Sequence, residues 1–358
     1  MAVIGVGHLG KEHARILASL PDVELVGVAD VNAEQVQAVA RRLGVPAFTE
    51  YWPLLNLVDA ATVVVPTRFH FQVAAEFLRR GIPLLVEKPL AAALDEAETL
   101  AEMAARHGAA LQVGHIERFN PAFEDLVSRP LQPKFITCER LGPFTGRSTD
   151  IGVVHDLMIH DLDLLLTLVG APVVSVEALG VSLFGPHEDV ASARLHFANG
   201  CVANVTASRA SAAPCRKMHV WAPEGYARLD YQKRTLTLVQ PSALIRQQGL
   251  DPNKLEPALR ATLRDDLFTK HFERVQIDGH GQDQLTCELR HFIQCVRTGS
   301  RPRVNGADAC AALRVAQRIL ECVRSHAWNG DAVGPVGPSQ LPTPIGPLFA
   351  DRPQQDAA

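Results

Sequence analysis

The residues most able to do chemistry begin with a glycine loop, Gly5-Val6-Gly7-His8-Leu9-Gly10, fed directly by the apolar run Ala2-Val3-Ile4. Gly5 permits a tight turn from strand to helix. Gly7 lets a pyrophosphate approach a backbone that has no Cβ, and Gly10 lets the helix pack closely on the sheet. The phosphates are then expected on the unpaired amides of the helix start, with His8 and Leu9 supplying backbone there. Asp30 ends a second apolar run, Val23 to Ala29, twenty residues after Gly10, where a carboxylate can accept hydrogen bonds from an adenosine ribose. A 2′-phosphate would meet like charge at that point, so NAD rather than NADP is the expected cofactor.

A second group of residues suits alcohol oxidation. Asp156 and His160 are four apart, so on an α-helix they share a face and can address one hydroxyl together. Such a reaction needs a group to take the hydroxyl proton while hydride leaves the same carbon, and an imidazole suits that task. Lys88 stands at the carboxyl end of the run Leu84 to Val86, where doubly wound sheets place ligands. Its ammonium can orient a hydroxyl and stabilise a developing alkoxide. The expected roles are His160 as base, Lys88 as electrostatic and proton-network partner, and Asp156 as the group that orients His160 or the substrate. An exposed ion pair on a helix surface is the competing reading of Asp156 and His160. The flanking Leu157, Met158, Ile159, Leu162 and Leu164 weigh against it, because polar groups on a largely buried helix need partners.

Other candidates surround these. Arg118 and Arg147 have planar forks that match a diphosphate, with Asn120 and Ser148 beside them in the sequence. His155 precedes Asp156, about 100° away on a helix, and either lines the pocket or lies on the surface. Glu87 is expected to be structural or ribose-facing. Thr67 reads as a helix cap that could also touch a cofactor. The other histidines share no metal-ligand spacing, and no metal is expected.

The elements that must position these residues follow from periodicity. Short apolar runs at Ala2–Ile4, Glu24–Ala29, Ala61–Val65, Leu84–Val86 and Ala110–Val113 alternate with helical stretches near 8–19, 33–43, 70–80 and 95–107, the signature of a parallel sheet. Asp95 and Gly108 are expected to cap the last of these helices. A long apolar helix is expected from Val153 to Val169. Period-two segments follow at Val173–Leu183, Ala191–Phe197, Val202–Ala207, Met218–Ala222, Ala227–Asp230 and Thr235–Val239, and helices near 283–298 and 307–325 close the pattern. The expected fold is α/β: a doubly wound Rossmann sheet over residues 1–117, then an α/β domain with a largely antiparallel open sheet over 118–328. Residues 329–358 form a Pro/Gly-rich tail without apolar periodicity. An apolar face of the open sheet must be covered, so a homo-oligomer, dimer or tetramer, is expected.

Composition sets bounds on function. The 358 residues include 47% apolar and 21% charged residues, ordinary for a globular protein with two sizeable cores. A net charge of −4 without a basic stripe disfavours nucleic acid and anionic membrane as partners. Seven cysteines, odd in number and never as CxxC, indicate neither a disulfide framework nor a zinc ribbon, and free thiols suggest a reducing compartment. With the glycine loop so near residue 1 and no long apolar run, neither a signal peptide nor a membrane span is expected, and the cytoplasm is the expected location.

Taken together, the glycine loop, Val86-Glu87-Lys88-Pro89, Asp156-Leu157-Met158-Ile159-His160 with Asp161 and Asp163, and the ending Glu288-Leu289-Arg290-His291-Phe292 through Arg301-Pro302-Arg303-Val304 resemble the Gfo/Idh/MocA family of sugar and polyol dehydrogenases. The resemblance covers about residues 1–326 and implies the Lys88, Asp156 and His160 assignments independently, with Thr67 and His70 in a loop against the cofactor. Within that family, Gln112 to Pro121 and Gly146-Arg147-Ser148-Thr149-Asp150 are most similar to a nucleotide-sugar branch. That likeness implies C3 of UDP-N-acetylglucosamine as the reacting centre and a 3-keto product that would feed an aminotransferase. The alternatives are oxidation of inositol or another free sugar, and a catalytically silent NAD-sensing protein; the presence of Lys88 and His160 speaks against the latter. The family has a longer first strand, so the chain is expected to begin upstream of Met1.

Overall fold

The computed structural model describes residues 1–146, 150–249, 251–258, 260, 261, 267, 271–279, 281–328 and 336–338. Six parallel strands form the first sheet: β1 (Ala2–Ile4), β2 (Gly27–Ala29), β3 (Ala47–Phe48), β4 (Ala61–Val63), β5 (Leu84–Glu87) and β6 (Leu111–Gly114). Their order is β3-β2-β1-β4-β5-β6, so the chain reverses direction across the sheet between β1 and β4. That switch leaves a crevice at the strands' carboxyl ends. The crossovers carry α1 (Gly10–Ser19), α2 (Ala33–Leu43), α3 (His70–Leu78) and α4 (Leu94–His107). Local chemistry sets their ends: the Asn32 side chain accepts from Gln35 N at the start of α2, and Gly44 leaves it at φ 69°. Gly108 ends α4 at φ 64° as expected. Asp95 is not its cap, because the helix starts one residue earlier behind Ala93 and Asp95 lies in the first turn, where its charge favours the helix dipole.

The remainder of the described chain is α5 (Pro121–Val127), β7 (Phe135–Leu141), a π-helical turn (Val154–Met158), α6 (Ile159–Val169), β8 (Val173–Val181), β9 (Val190–Phe197), β10 (Val202–Ser208), β11 (Cys215–Ala222), β12 (Gly225–Asp230), β13 (Thr235–Pro241), α7 (Ala243–Gln248), β14 (Phe272–Asp278), α8 (Gln284–Thr298) and α9 (Gly306–Ser325). The second sheet runs β14-β13-β12-β11-β7-β10-β9-β8 and is antiparallel except where β7 lies parallel to β10. The expected strands are all present. Sequence periodicity missed β3, β7 and β14.

The expected division at residue 117 needs correction, because the last two helices return to the first sheet. Leu285, Leu289, Phe292 and Ile293 of α8 pack with Val3, Leu17, Val28 and Val36. Early α9 residues Ala309, Cys310, Ala312 and Leu313 join Leu84, Val86, Leu100 and Val113. Later ones, Val315, Ala316, Ile319 and Val323, enter the core of the second sheet. One helix therefore belongs to both cores. An amphipathic pattern announces that a face is buried but not against what. No described helix is long and apolar enough to cross a membrane. The tail expectation, residues 329–358, lies outside the described residues except for 336–338.

Candidate active site

The glycine loop has the geometry its composition requires. Gly5 sits at φ +89°, and a Cβ there would stand 2.5 Å from the Val64 carbonyl oxygen. A Cβ on Gly10 would fall 1.9 Å from Gly5 O, so only glycine lets α1 approach. Around Gly7 nothing lies within 4 Å, which leaves the approach to its backbone open for a phosphate. His8 is exposed and Leu9 half-buried at the helix start. Asp30 faces the loop: its Oδ2 accepts from Val6 N at 2.8 Å and from Gln35 Nε2 at 3.1 Å, and its Oδ1 accepts from Asn32 N at 2.9 Å. An ionised carboxylate has about four acceptor sites, so capacity for a ribose hydroxyl is left. The open glycine backbone and this carboxylate fit a dinucleotide.

Thr67 opens a short 3-10 turn, Thr67–Phe69, and is half-buried after β4. His70 is the first residue of α3. Its ring is buried, with Nδ1 2.8 Å from Pro89 O and Nε2 2.8 Å from Val65 O, so it ties two loops together. Glu87 is likewise structural, with Oε1 3.1 Å from the Nε2 of buried His13. Both placements share a reason: each side chain ends a buried strand or loop, where polar atoms are satisfied by protein.

Lys88 follows β5, and its peptide to Pro89 is cis. The ammonium Nζ donates to the Asp156 carbonyl at 2.5 Å and to Asp156 Oδ1 at 3.1 Å, across 68 residues of sequence. The accepting residue lies in the π turn, where Ile159 N reaches back to Val154 O. Asp156 and His160 are therefore not one α-helical turn apart as expected; the turn between them is wider, a device often found at functional sites. His160 is half-buried. Its Nδ1 is sealed without a partner, while Nε2 stays accessible. Burial holds this imidazole well below its usual pKa, and the cations Lys88 and Arg140, with His115 and Arg216, push in the same direction. A neutral base at ordinary pH results. The Asp156 carboxylate makes no hydrogen bond to His160, so the expectation that it orients this ring gives way to its pairing with Lys88.

Two arginines, one of them missed in the sequence, fix the helix that carries His160. Arg140 of β7 grips Asp161 through Nε at 2.8 Å and Nη2 at 2.9 Å, and donates from Nη1 to Glu117 at 2.9 Å. Arg118 grips Asp163 the same way, at 2.7 and 2.8 Å. Its fork is therefore engaged by protein and is not a free diphosphate clamp, since a buried carboxylate requires a partner. Asn120 is also structural: fully buried, it caps α5 through Ala122 N and donates to Glu117 and to Tyr231 O. Upstream, Glu188 accepts from Val153 N through its carbonyl and from Val154 N through its carboxylate, while Arg209 donates to Ile151 O. Arg147 and Ser148 lie outside the described residues.

His155 is half-buried and lines a cavity of about 410 Å³ with Ala93, Asp95, Gln317 and Arg324. Burial lowers its pKa to about 4, helped by Arg324, Lys88 and His187. Another concavity, about 450 Å³ between Pro83, Gly108 and Ser300, contains none of the site residues. It opens at the amino ends of β5 and β6, the opposite end from where parallel sheets bind ligands.

A sheet built to bind a dinucleotide, with a lysine after its strand β5 meeting a carboxylate and an imidazole carried by the second domain, defines an NAD-dependent oxidoreductase. Residues 1–115 match the oxidoreductase family with the NAD-binding Rossmann fold, and residues 129–228 match the GFO/IDH/MocA C-terminal domain. The chain belongs to the Gfo/Idh/MocA family. It is 40% identical over 271 residues to UDP-N-acetylglucosamine 3-dehydrogenase of Acidithiobacillus ferrooxidans, covering 74% of this chain and 86% of that protein. A solved structure of the Acidithiobacillus ferrooxidans UDP-N-acetylglucosamine 3-dehydrogenase superposes with a TM-score of 0.79 at 34% identity, over 90% of this chain and 96% of that one. A scyllo-inositol 2-dehydrogenase (NAD(+)) of Bacillus subtilis is 29% identical over 339 residues, 88% of this chain and 91% of that protein.

Proposed function

We propose that the protein oxidises the C3 hydroxyl of UDP-N-acetylglucosamine to the 3-keto sugar. The observation that carries the chemistry is the Lys88 ammonium, held by Asp156 beside a neutral His160 with an accessible Nε2. NAD, when bound, supplies the acceptor for the hydride that leaves the substrate carbon. His160 takes the hydroxyl proton, and Lys88 stabilises negative charge on the oxygen as it develops. Asp156 holds Lys88 in reach of both. The sugar specificity is supported by the 40% identity to an enzyme of that name.

A second reading, oxidation of a free polyol, is favoured by Arg118, which is engaged by Asp163 rather than free for a diphosphate. Steady-state kinetics with NAD separates the two. UDP-N-acetylglucosamine should exceed free N-acetylglucosamine and inositol in kcat/KM; equal values would replace the nucleotide sugar with a free one.

The protein is proposed to work in the cytoplasm as a homo-oligomer. The open face of the second sheet leaves Trp221 40% exposed, and its ring stacks on Phe135 at 5.2 Å between centroids. A second copy covering that aromatic face is the arrangement that removes it from water. Sedimentation analysis of the wild type and of Trp221→Glu tests this; a monomeric wild type overturns it.

A further inference from the structure

His115 is absent from the expected site, yet it stands inside it. β5 and β6 pair in parallel with Glu87 opposite Gly114, so the next residues along, Lys88 and His115, leave neighbouring strands side by side. The His115 ring is 1% exposed, and neither ring nitrogen has a hydrogen-bond partner. Leaving such a group unpaired costs about 1–3 kcal/mol, so two orphaned nitrogens in the middle of a site call for a role. The ring meets His160 edge-on, with centroids 6.2 Å apart and planes at 87°. His160 Nδ1 is the third sealed and unpartnered nitrogen of the pair.

The separation decides how the two rings can communicate. With centroids 6.2 Å apart, the nearest ring nitrogens are about 4 Å apart or more, too far for a direct hydrogen bond. One water bridges nitrogens up to about 5.5 Å apart, a distance within the range that this ring separation allows. We propose that His115 is a positioning residue for His160: through a single bridging water it accepts from Nδ1–H, fixing the proton there and leaving the Nε2 lone pair for the substrate hydroxyl.

The surroundings suit an acceptor. Groups facing His115 are Asp163 and His160 from α6, Arg118 from the turn after β6, and Lys88 and Glu87 from the end of β5. Burial lowers the pKa of His115, so it is neutral and has one lone pair to offer. When His160 takes the hydroxyl proton on Nε2, its Nδ1–H becomes a stronger donor to the same water. No bond to Nδ1 breaks, and the positive charge rests on His160. An orienting partner on the far nitrogen is how imidazole bases are generally held in the productive tautomer. Asp156, occupied by Lys88, does not fill that place here.

The inference rests on His160 acting as base, so its test must stand apart from turnover. Nitrogen-15 spectra of histidine-labelled protein at pH 7.5, with His160 assigned by the signal lost in His160→Asn, report the tautomer directly. The Nδ1–H form is expected in the wild type and a mixture in His115→Leu. In kinetics His115→Leu should lower kcat about 10-fold or more, less than the roughly 10⁴-fold loss seen when a directly bonded tautomer-fixing group is removed. KM for the sugar should stay within about 2-fold, and His115→Gln, which can still hold a water, should recover most of kcat. An Nε2–H wild type, or a folded His115→Leu with unchanged tautomer and kcat, overturns the proposal. If no tested sugar is oxidised, the proposed activity fails, while the tautomer measurement still decides the role of His115.

Discussion

Replacing Arg118 with leucine separates a structural cation from a substrate-binding one. Its Nε and Nη2 lie 2.7 and 2.8 Å from the two oxygens of Asp163, with side chains 11% and 1% exposed. Water cannot take over the hydrogen bonds of Asp163, so Arg118→Leu strands a buried charge, a change that costs about 3–5 kcal/mol. Because α9 belongs to both cores, the chain is treated as one cooperative unit. Its 358 residues then carry an unfolding entropy of about 0.75 kcal/mol/K, and the loss corresponds to a fall of about 4–7 °C in Tm. The second change, Asp163→Leu, removes the stranded charge, and the double variant should regain most of the lost Tm. Differential scanning calorimetry measures both. If Arg118→Leu keeps its Tm within about 1 °C while KM for the UDP-sugar rises severalfold, the guanidinium serves the substrate and the structural assignment is wrong.

Three other outcomes are expected. His160→Ala should lower kcat by about 10²–10⁴-fold while NAD binding, measured by fluorescence titration, survives; normal turnover would remove His160 from the mechanism. Because the base must be neutral and the His160 pKa is depressed, kcat/KM should fall only as pH drops well below 6.5, and Lys88→Met, which deletes one depressing cation, should move that limb upward; a wild-type limb at or above 6.5 contradicts the assignment. Asp30→Ala removes a charged acceptor that also braces Val6, so NAD affinity should drop about 10-fold or more and the preference over NADP should shrink; equal use of NADP by the wild type would refute the ribose role.

The parts of this protein legible in the sequence are those whose chemistry is local. Gly5, Gly7, Gly10 and Asp30 lie within one βαβ unit, and their spacing alone specifies their geometry. β7 was invisible because Arg140, a charge on the buried side of the strand, breaks the alternation; only the distant Asp161 and Glu117 make that burial possible. β14, at the sheet edge, is mostly exposed and leaves a weak pattern. The π turn was missed for a different reason, since a spacing of four residues is compatible with both the α and the wider winding. Arg118 was misread because its partner is 45 residues away, and the bidentate geometry suited to phosphate is equally suited to a carboxylate. His115 carried one usable signal: a histidine at the carboxyl end of a parallel strand, one strand away from Lys88.

The reacting groups come from both halves of the molecule, and their alignment depends on charge pairs that converge on the π turn and α6 from both sheets. Lys88 reaches Asp156, Arg118 reaches Asp163, and Arg140 reaches Asp161, so the π turn and the first turns of α6 are held at three successive points. In two of these pairs the carboxylate, Asp161 or Asp163, is almost fully buried; the third, Lys88 to Asp156, is more open, with side chains 17% and 24% exposed. Chemistry belongs at the open pair, because only there can a substrate hydroxyl exchange places with a protein contact without stranding a buried charge. The buried pairs fix His160 at that position whatever the sugar, so substrate choice must be made by residues outside them. The segment from Asp150 to Val154 meets that condition. It is tied to Glu188 and Arg209 rather than to the pairs on α6.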